Sequence, residues 1–262
     1  MRVGEVSVYP LLDGVMPMPL ALLYPDLEAS TWRSLGGAID EDGSLRVPFG
    51  GFLAADDQGH RVVFDLGGGP APQLLELLPN AELPEMRELL PGCLEKAGVP
   101  ADAVTDVVFS HLHLDHVGWA VTDGRPTFPH ARHHIHALDW QHFVVDSADE
   151  SVRDRVEPLA EAVHLWEGQE SSPYKWLRII HAPGHTPGTS IALIQSAGQR
   201  LALIGDLFHH PVAVEHPHWR CGFDWDDAAA ASTRHKWIAT LRQTGTPLVG
   251  PHFPDLIPVT IP

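Results

Sequence analysis

Short apolar runs broken by turn-forming residues pattern this chain, and most of the runs end on a polar side chain. Val3 to Leu12 reads as a strand closed by the turn signal Asp13-Gly14. Phe49 to Ala55 and Arg61 to Leu66 read as a hairpin joined by Asp56-Asp57-Gln58-Gly59. Between them, residues 15–47 carry Met16-Pro17-Met18-Pro19 and Gly36-Gly37, which predict an ordered loop with one short helix. Glu85 to Ala97 has helical spacing (Met86, Leu89, Leu90, Leu94), kinked or restarted at Pro91-Gly92 and stopped at Gly98-Val99-Pro100. Val104–Phe109, Trp176–Ile180, Ile191–Gln195, Leu201–Ile204 and Pro247–Val249 are strand-like runs without strict alternation, the pattern of sheets covered on both faces. Helices fit at Ala137–Val145, Ser151–Ala162 and Asp226–Thr244, the last capped by Asp224 or Asp226. The elements predict an α/β fold with two sheets between helical layers. No repeat, low-complexity tract or linker divides the chain, so residues 1–262 are expected to form one domain.

Composition narrows the possibilities. A hydrophobic content of 44% excludes disorder as the main state. Lys+Arg 17 against Asp+Glu 34 gives a formal charge of −17, a surface that repels nucleic-acid phosphates and anionic lipid. Two cysteines, Cys93 and Cys221, supply neither a disulfide framework nor a thiolate cluster, and neither is expected to be a ligand. Met1 to Gly14 lacks the pattern of a secretion signal, and no apolar stretch approaches the roughly 18 residues of a membrane span. The expectation is a cytoplasmic protein that acts on a small molecule, without nucleic-acid or membrane partners. Histidine is out of line: 18 residues, more than all lysines and arginines together.

Spacing gives those histidines meaning. His111, His113, Asp115 and His116 fall within Phe109-Ser110-His111-Leu112-His113-Leu114-Asp115-His116. In an extended segment His111 and His113 share a side, because side chains alternate with period two. Asp115 and His116 follow where the chain can start a helix, and neighbours that point differently can serve two ions. His185, Asp206 and His252 each follow an apolar strand, so a sheet can bring all four groups to one edge. Five imidazoles and two carboxylates divide into a site of three His and one of two His plus Asp, with a second Asp to bridge. Imidazole and carboxylate without thiolate suit zinc, and iron or manganese also accept them. Read singly, His111 and His113 would only cap a strand end; the ordered set argues for metal. His133, His134 and His136 lie on a strand and read as structural, and Trp119 as core. His60, His130, His142, His164, His181 and His235 carry no spacing argument.

Together these motifs resemble the metallo-β-lactamase superfamily. The resemblance covers nearly the whole chain: Phe64-Asp65-Leu66-Gly67-Gly68-Gly69, the H-x-H-x-D-H run, Ala182-Pro183-Gly184-His185-Thr186-Pro187-Gly188, Gly205-Asp206 and His252. It implies an αββα sandwich of two mixed β-sheets flanked by helices, with two Zn2+ at one edge. His111, His113 and His185 would hold the first ion and Asp115, His116 and His252 the second, with Asp206 bridging. Paired ions about 3.5–4 Å apart lower the pKa of a water between them, and the resulting hydroxide attacks a polarised carbonyl or phosphoryl group. Asp115 is the natural proton carrier to the leaving group.

An aspartate at 206 resembles lactonases, glyoxalase II and organophosphate hydrolases, whereas zinc β-lactamases usually carry Cys or Ser there. A glyoxalase II would carry a further helical domain after the core, nucleic-acid members a basic surface and an insertion, and flavodiiron relatives Glu in place of His113. Leu11 to Pro19 and the loop after Asp206 are similar to the quorum-quenching lactonase and methyl-parathion-hydrolase-like group. The expected reaction is hydrolysis of an ester-type substrate, lactone first, with phosphotriester, aryl ester or thioester as alternatives. An iron-dependent persulfide dioxygenase is a more distant one. His209 stands where the lactonases carry a tyrosine near the substrate carbonyl; it is either a donor to that carbonyl or a solvent-exposed loop residue. Met16, Met18, Phe208, Trp219 and Phe253 are the expected pocket residues. For Trp219 and Trp225 the alternative is to anchor the loop to the core or to a second subunit, and a homodimer paired through these loops is expected.

Overall fold

Burial on both faces of the central strands explains why the sequence lacks strict alternation there. The computed structural model describes residues 1–69, 89–147 and 150–261. Its first sheet begins with β1 (Arg2–Val3), β2 (Val6–Pro19), β3 (Ser44–Ala55), β4 (Arg61–Phe64) and β5 (Asp106–Val108). A small hairpin, β6 (Val121–Thr122) and β7 (Arg125–Pro126), precedes the last two strands, β8 (Arg132–His136) and β9 (Val163–Trp166). The order is β1-β2-β3-β4-β5-β8-β9, antiparallel from β1 to β4 and parallel from β4 to β9. The second sheet comprises β10 (Glu170–Tyr174), β11 (Leu177–His181), β12 (Ser190–Ser196), β13 (Gln199–Leu203) and β14 (Leu248–Val249), antiparallel except for β13 with β14.

Period-two geometry sends successive residues of the first sheet into two cores. Phe52, Phe64 and Val108 join Ile179, Ile191 and Leu203 of the second sheet. Their neighbours Leu53, Val63 and Val107 instead meet Leu90, Leu94, Val152 and Val156 from helices Leu90–Lys96 and Glu150–Val156. Helix Asp227–Thr244 packs Trp237, Ile238 and Leu241 into the first cluster. Its N-cap Asp226 accepts a hydrogen bond from Ala229 N, and Gly245 ends it in the left-handed conformation. The result is a layered mixed α/β fold with helices flanking two mixed sheets.

Three expectations need correction. The chain does not turn at Asp13-Gly14: β2 continues to Pro19 past an irregularity between Leu12 and Gly14 and pairs with β3 down to Ser44. Asp13 is buried, and its carboxylate accepts hydrogen bonds from Gly68 N, Gly69 N, Leu90 N and the Trp119 indole. Those distant donors, invisible in local sequence, hold the side chain inside the fold. The stretch read as a loop therefore contributes strand at both ends and two short helices, Leu20–Leu23 and Ala29–Ser34. Helix Leu90–Lys96 is observed within the longer helix expected from Glu85 to Ala97, of which residues 85–88 lie outside the described residues. The predicted Ala137–Val145 helix is α-helical to Trp140 and a π-helix over Gln141–Val145. Among the described residues no helix is long and apolar enough to cross a membrane.

Candidate metal centre

β5, β11, β13 and β14 all end at the same edge of the two sheets, and the segments after them carry His111 to His116, His185, Asp206 and His252. Close backbone approach makes this convergence possible. A Cβ on Gly205, at φ +49°, would lie 2.6 Å from Ser110 Cβ, and one on Gly184 would lie 2.3 Å from Ala230 Cα. The helix Leu114–Val117 begins directly after His113, so Asp115 and His116 leave the strand direction and face a different part of the cluster.

The structure brings all seven side chains together. His111 Nε2 and His185 Nε2 lie 2.9 and 3.1 Å from His113 Nδ1. Asp206 Oδ2 is 3.3 Å from His185 Nε2 and 3.8 Å from His111 Nε2. Its other oxygen, Oδ1, is 3.2 Å from His116 Nε2 and 3.1 Å from His252 Nε2. Asp115 completes the second set at 3.7 Å from His116 Nε2 and 3.5 Å from His252 Nε2. Nitrogens that share a tetrahedral cation at about 2.0–2.1 Å lie roughly 3.3 Å apart, which these spacings match.

A second test concerns unsatisfied atoms. His116 Nε2 and Asp206 Oδ1 are sealed from solvent, and neither has a hydrogen-bond partner of acceptable geometry. Buried lone pairs of this kind call for a group between them. The opposite ring nitrogens are meanwhile anchored: His252 Nδ1–H donates to Pro48 O at 2.7 Å, and His185 Nδ1–H to Asp224 Oδ1 at 3.1 Å. His116 Nδ1 faces Asp65 Oδ2 at 3.1 Å, and His111 Nδ1 faces Ser110 Oγ at 3.0 Å. Such outer partners fix ring orientation around metal ions. Asp65 adopts φ +60°, and its Oδ1 accepts from Ser110 N at 2.7 Å. The donor set therefore fits cations.

Electrostatics agree. Burial opposes ionisation of Asp206, but the imidazoles of His116 and His252 hold its carboxyl well below the ordinary range. Burial disfavours the charged ring of His185 as well, yet Asp206 and Asp224 push it up to about 9. His113 goes the other way, to about 3, through burial and the nearby His185. The cluster keeps its carboxylates anionic and distributes protons among its rings, so a cation would displace protons on entering.

A cavity of about 430 Å³ opens onto this cluster. Met16, Met18, Val47, Phe143, Val152 and Phe223 wall it, and Asp115 and His209 face it from the cluster side. Met16 and Met18 thus lie where expected. Phe208 and Phe253 do not line it; at 2% and 0% exposure they belong to the core between the sheets. Trp219 is also displaced from the wall, because it packs against Tyr24 and Trp32 and stacks on His216. Trp225 is exposed, beside the His142 ring. His209 is buried, which removes the solvent-exposed alternative; its Nε2 lies 3.1 Å from Asp206 Oδ2 and 3.9 Å from Cys221 Sγ.

The sequence alone assigns no site role to several neighbours. Asp65, Asp224 and Arg234 support ligand rings from a distance, and Cys221 is buried against His209 although it lies in the long loop. Of these, Asp65 alone shares the cue that marked the ligands, since it follows directly on a strand.

The sequence profile described as the Metallo-beta-lactamase superfamily matches residues 52–247. The chain belongs to that superfamily, and its candidate site gathers histidines and aspartates that could hold metal ions. Solved structures share the fold at low identity. A probable metal-dependent hydrolase from Staphylococcus aureus matches with a TM-score of 0.90 at 19% identity, over 99% of this chain and 94% of that one. AidC, a dizinc quorum-quenching lactonase in complex with a product, matches with 0.82 at 22%, over 97% and 90%. The hydrolase AbOPH of the beta-lactamase superfamily matches with 0.82 at 21%, over 99% and 91%. No curated protein sequence matches the chain significantly.

Proposed function

We propose that this protein is a dinuclear zinc hydrolase of small, neutral ester-type substrates, lactones first, acting as one domain over residues 1–262. One observation carries the reading: the two oxygens of Asp206 face two separate sets of imidazoles, with Oδ2 toward His111 and His185 and Oδ1 toward His116 and His252. A carboxylate shared in this way is suited to bridging two cations, and imidazole with carboxylate suits zinc. The lactonase named among the structures of similar fold supports the choice of substrate class.

The first ion would be held by His111, His113 and His185, the second by Asp115, His116 and His252, with Asp206 between them. When bound, such a pair lowers the pKa of a water between them and polarises the oxygen of the group to be cleaved. Asp115 and Asp206 both line the cavity, and Asp115 is the more exposed of the two carboxylates, with 22% of its side chain accessible against 4% for Asp206. Burial works to raise the pKa of Asp115, but His116 and His252 outweigh that and hold it low, which keeps the carboxylate anionic. It takes the proton of the attacking water at its carboxylate and returns it to the leaving-group oxygen. His209 Nε2 lies 3.1 Å from Asp206 Oδ2, beside the shared carboxylate. The apolar walls exclude water and seat the acyl or alkyl part of the substrate.

The test is a screen of zinc-loaded protein against lactones, aryl esters, thioesters, phosphotriesters and a cephalosporin, with elemental analysis of the same sample. Hydrolysis that is lost on chelation and restored by zinc supports the reading, and the preferred substrate decides among the ester types. Turnover in fully metal-depleted protein, or one iron and no zinc per chain, would overturn it.

A further inference from the structure

His185 Nδ1–H donates to Asp224 Oδ1, and the Asp224 side chain is completely buried. The other oxygen of Asp224 accepts from Arg234 Nη1 at 2.8 Å. Arg234 belongs to the helix Asp227–Thr244, yet it is only 4% exposed, a rare position for a guanidinium. Its remaining donors go to two carbonyls of the long loop: Nε to Pro217 O at 3.0 Å and Nη2 to Trp219 O at 2.9 Å. The loop closes the circuit on the ligand itself. Trp225 N–H donates to His185 O at 3.0 Å, Asp226 N–H to Gly184 O at 2.9 Å, and Cys221 N–H to Asp224 Oδ2 at 3.4 Å. Phe223 of the same loop walls the cavity.

One guanidinium therefore joins a candidate ligand, through a carboxylate, to the backbone of the segment that shapes the cavity. Buried ion pairs contribute little net stability compared with apolar replacements, so stability alone does not account for this one. We propose that Asp224 and Arg234 are positioning residues that make occupancy of the first ion site and closure of the loop 215–225, whose Phe223 walls the cavity, a single linked event. An ion at His185 Nε2 fixes the ring and strengthens the Nδ1–H donor toward Asp224. Asp224 then holds the Arg234 fork in the orientation that grips Pro217 O and Trp219 O. Linkage is reciprocal, so a closed wall raises ion affinity by the same factor. The inference rests on the reading above that His185 ligates an ion.

Arg220 supplies a readout independent of activity, because its side chain is 41% exposed within the linked segment. Trypsin cleavage after Arg220, followed by mass spectrometry, should slow about 10-fold when chelated wild-type protein is loaded with zinc, the size of ordinary coupling between linked sites. Asp224→Asn should lower zinc retention against a chelator about 10–100-fold, as loss of an outer partner does, and should abolish that protection. Arg234→Lys keeps a cation beside Asp224 without the fork. It should weaken zinc retention by up to that same factor of about 10, lose protection at Arg220, and raise KM with little change in kcat. Zinc-loaded, active wild-type protein whose Arg220 bond is as labile as in the chelated form overturns this inference while leaving the hydrolase reading intact. So does a folded Arg234→Met variant with unchanged zinc retention and unchanged protection. Failure of Arg234→Met to fold leaves the wild-type comparison to decide. Wild-type protein that binds no ion removes both.

Discussion

Replacing Asp139 by Asn should change how stability depends on pH, by an amount the structure sets. Asp139 is 1% exposed and joins the two ligand-bearing loops. It accepts from Leu112 N at 3.2 Å, between His111 and His113, and from Thr186 Oγ1 and Gly188 N at 3.0 and 2.6 Å, just after His185. Burial nevertheless dominates and raises its pKa from 3.8 to about 6. Between those values the native protein keeps a proton that the unfolded chain has released. The stability this group contributes is therefore fully present below pH 3.8 and is lost as pH rises through about 6. The full effect is about 3 kcal/mol, of which about 1 kcal/mol falls between pH 5 and pH 7. Asn carries no such proton, and its amide leaves one backbone donor without an acceptor, a pH-independent cost of about 1–3 kcal/mol. Urea unfolding of chelated wild type and variant at pH 5 and 7 isolates the effect, because the histidine titrations are common to both. The stability gap should be wider at pH 5 by about 1 kcal/mol. A gap that is constant, or wider at pH 7, refutes the argument.

Asp206→Asn should bind about one fewer ion per chain by elemental analysis, since an amide nitrogen has no lone pair for the second cation; unchanged metal content contradicts the bridging role. His185 is pushed up to about 9, so an entering cation must displace its proton. Zinc affinity should therefore climb from pH 6 to 8 and flatten above about 9, with proton release visible by calorimetry in buffers of different ionisation enthalpy. Phe143→Ala removes an aromatic wall of the cavity, and KM for apolar substrates should rise about tenfold with kcat little changed. Trp32 is fully buried and its indole donates to Ala38 O, so Trp32→Ala should cost about 3–5 kcal/mol in chemical denaturation.

The clustering of the candidate ligands is legible because their segments follow apolar runs, and strand ends are where a sheet delivers side chains to an edge. The second sheet was legible for the same reason: its runs are contiguous and bounded by turn residues. What escaped depends on partners far along the chain. Asp13-Gly14 has the chemistry of a turn, yet donors at Gly68, Leu90 and Trp119 keep that aspartate inside a continuing strand. Phe208 and Phe253 adjoin site residues in sequence, but the helical turn Gly205–Leu207 redirects the backbone between Asp206 and Phe208, and both phenylalanines pack into the core between the sheets. Arg234 sits in a helix of ordinary composition, and nothing local distinguishes it from a solvated arginine.

Beyond Ser7, no strand among the described residues pairs with the margin of β2 opposite β3. Pro10, Pro17 and Pro19 remove amide hydrogens along this strand, and a margin so interrupted is a poor template for another chain. The prolines that disguised this segment as irregular thus act as a guard against fibril-like stacking. Restoring those donors would be expected to trade a dispersed molecule for one that aggregates.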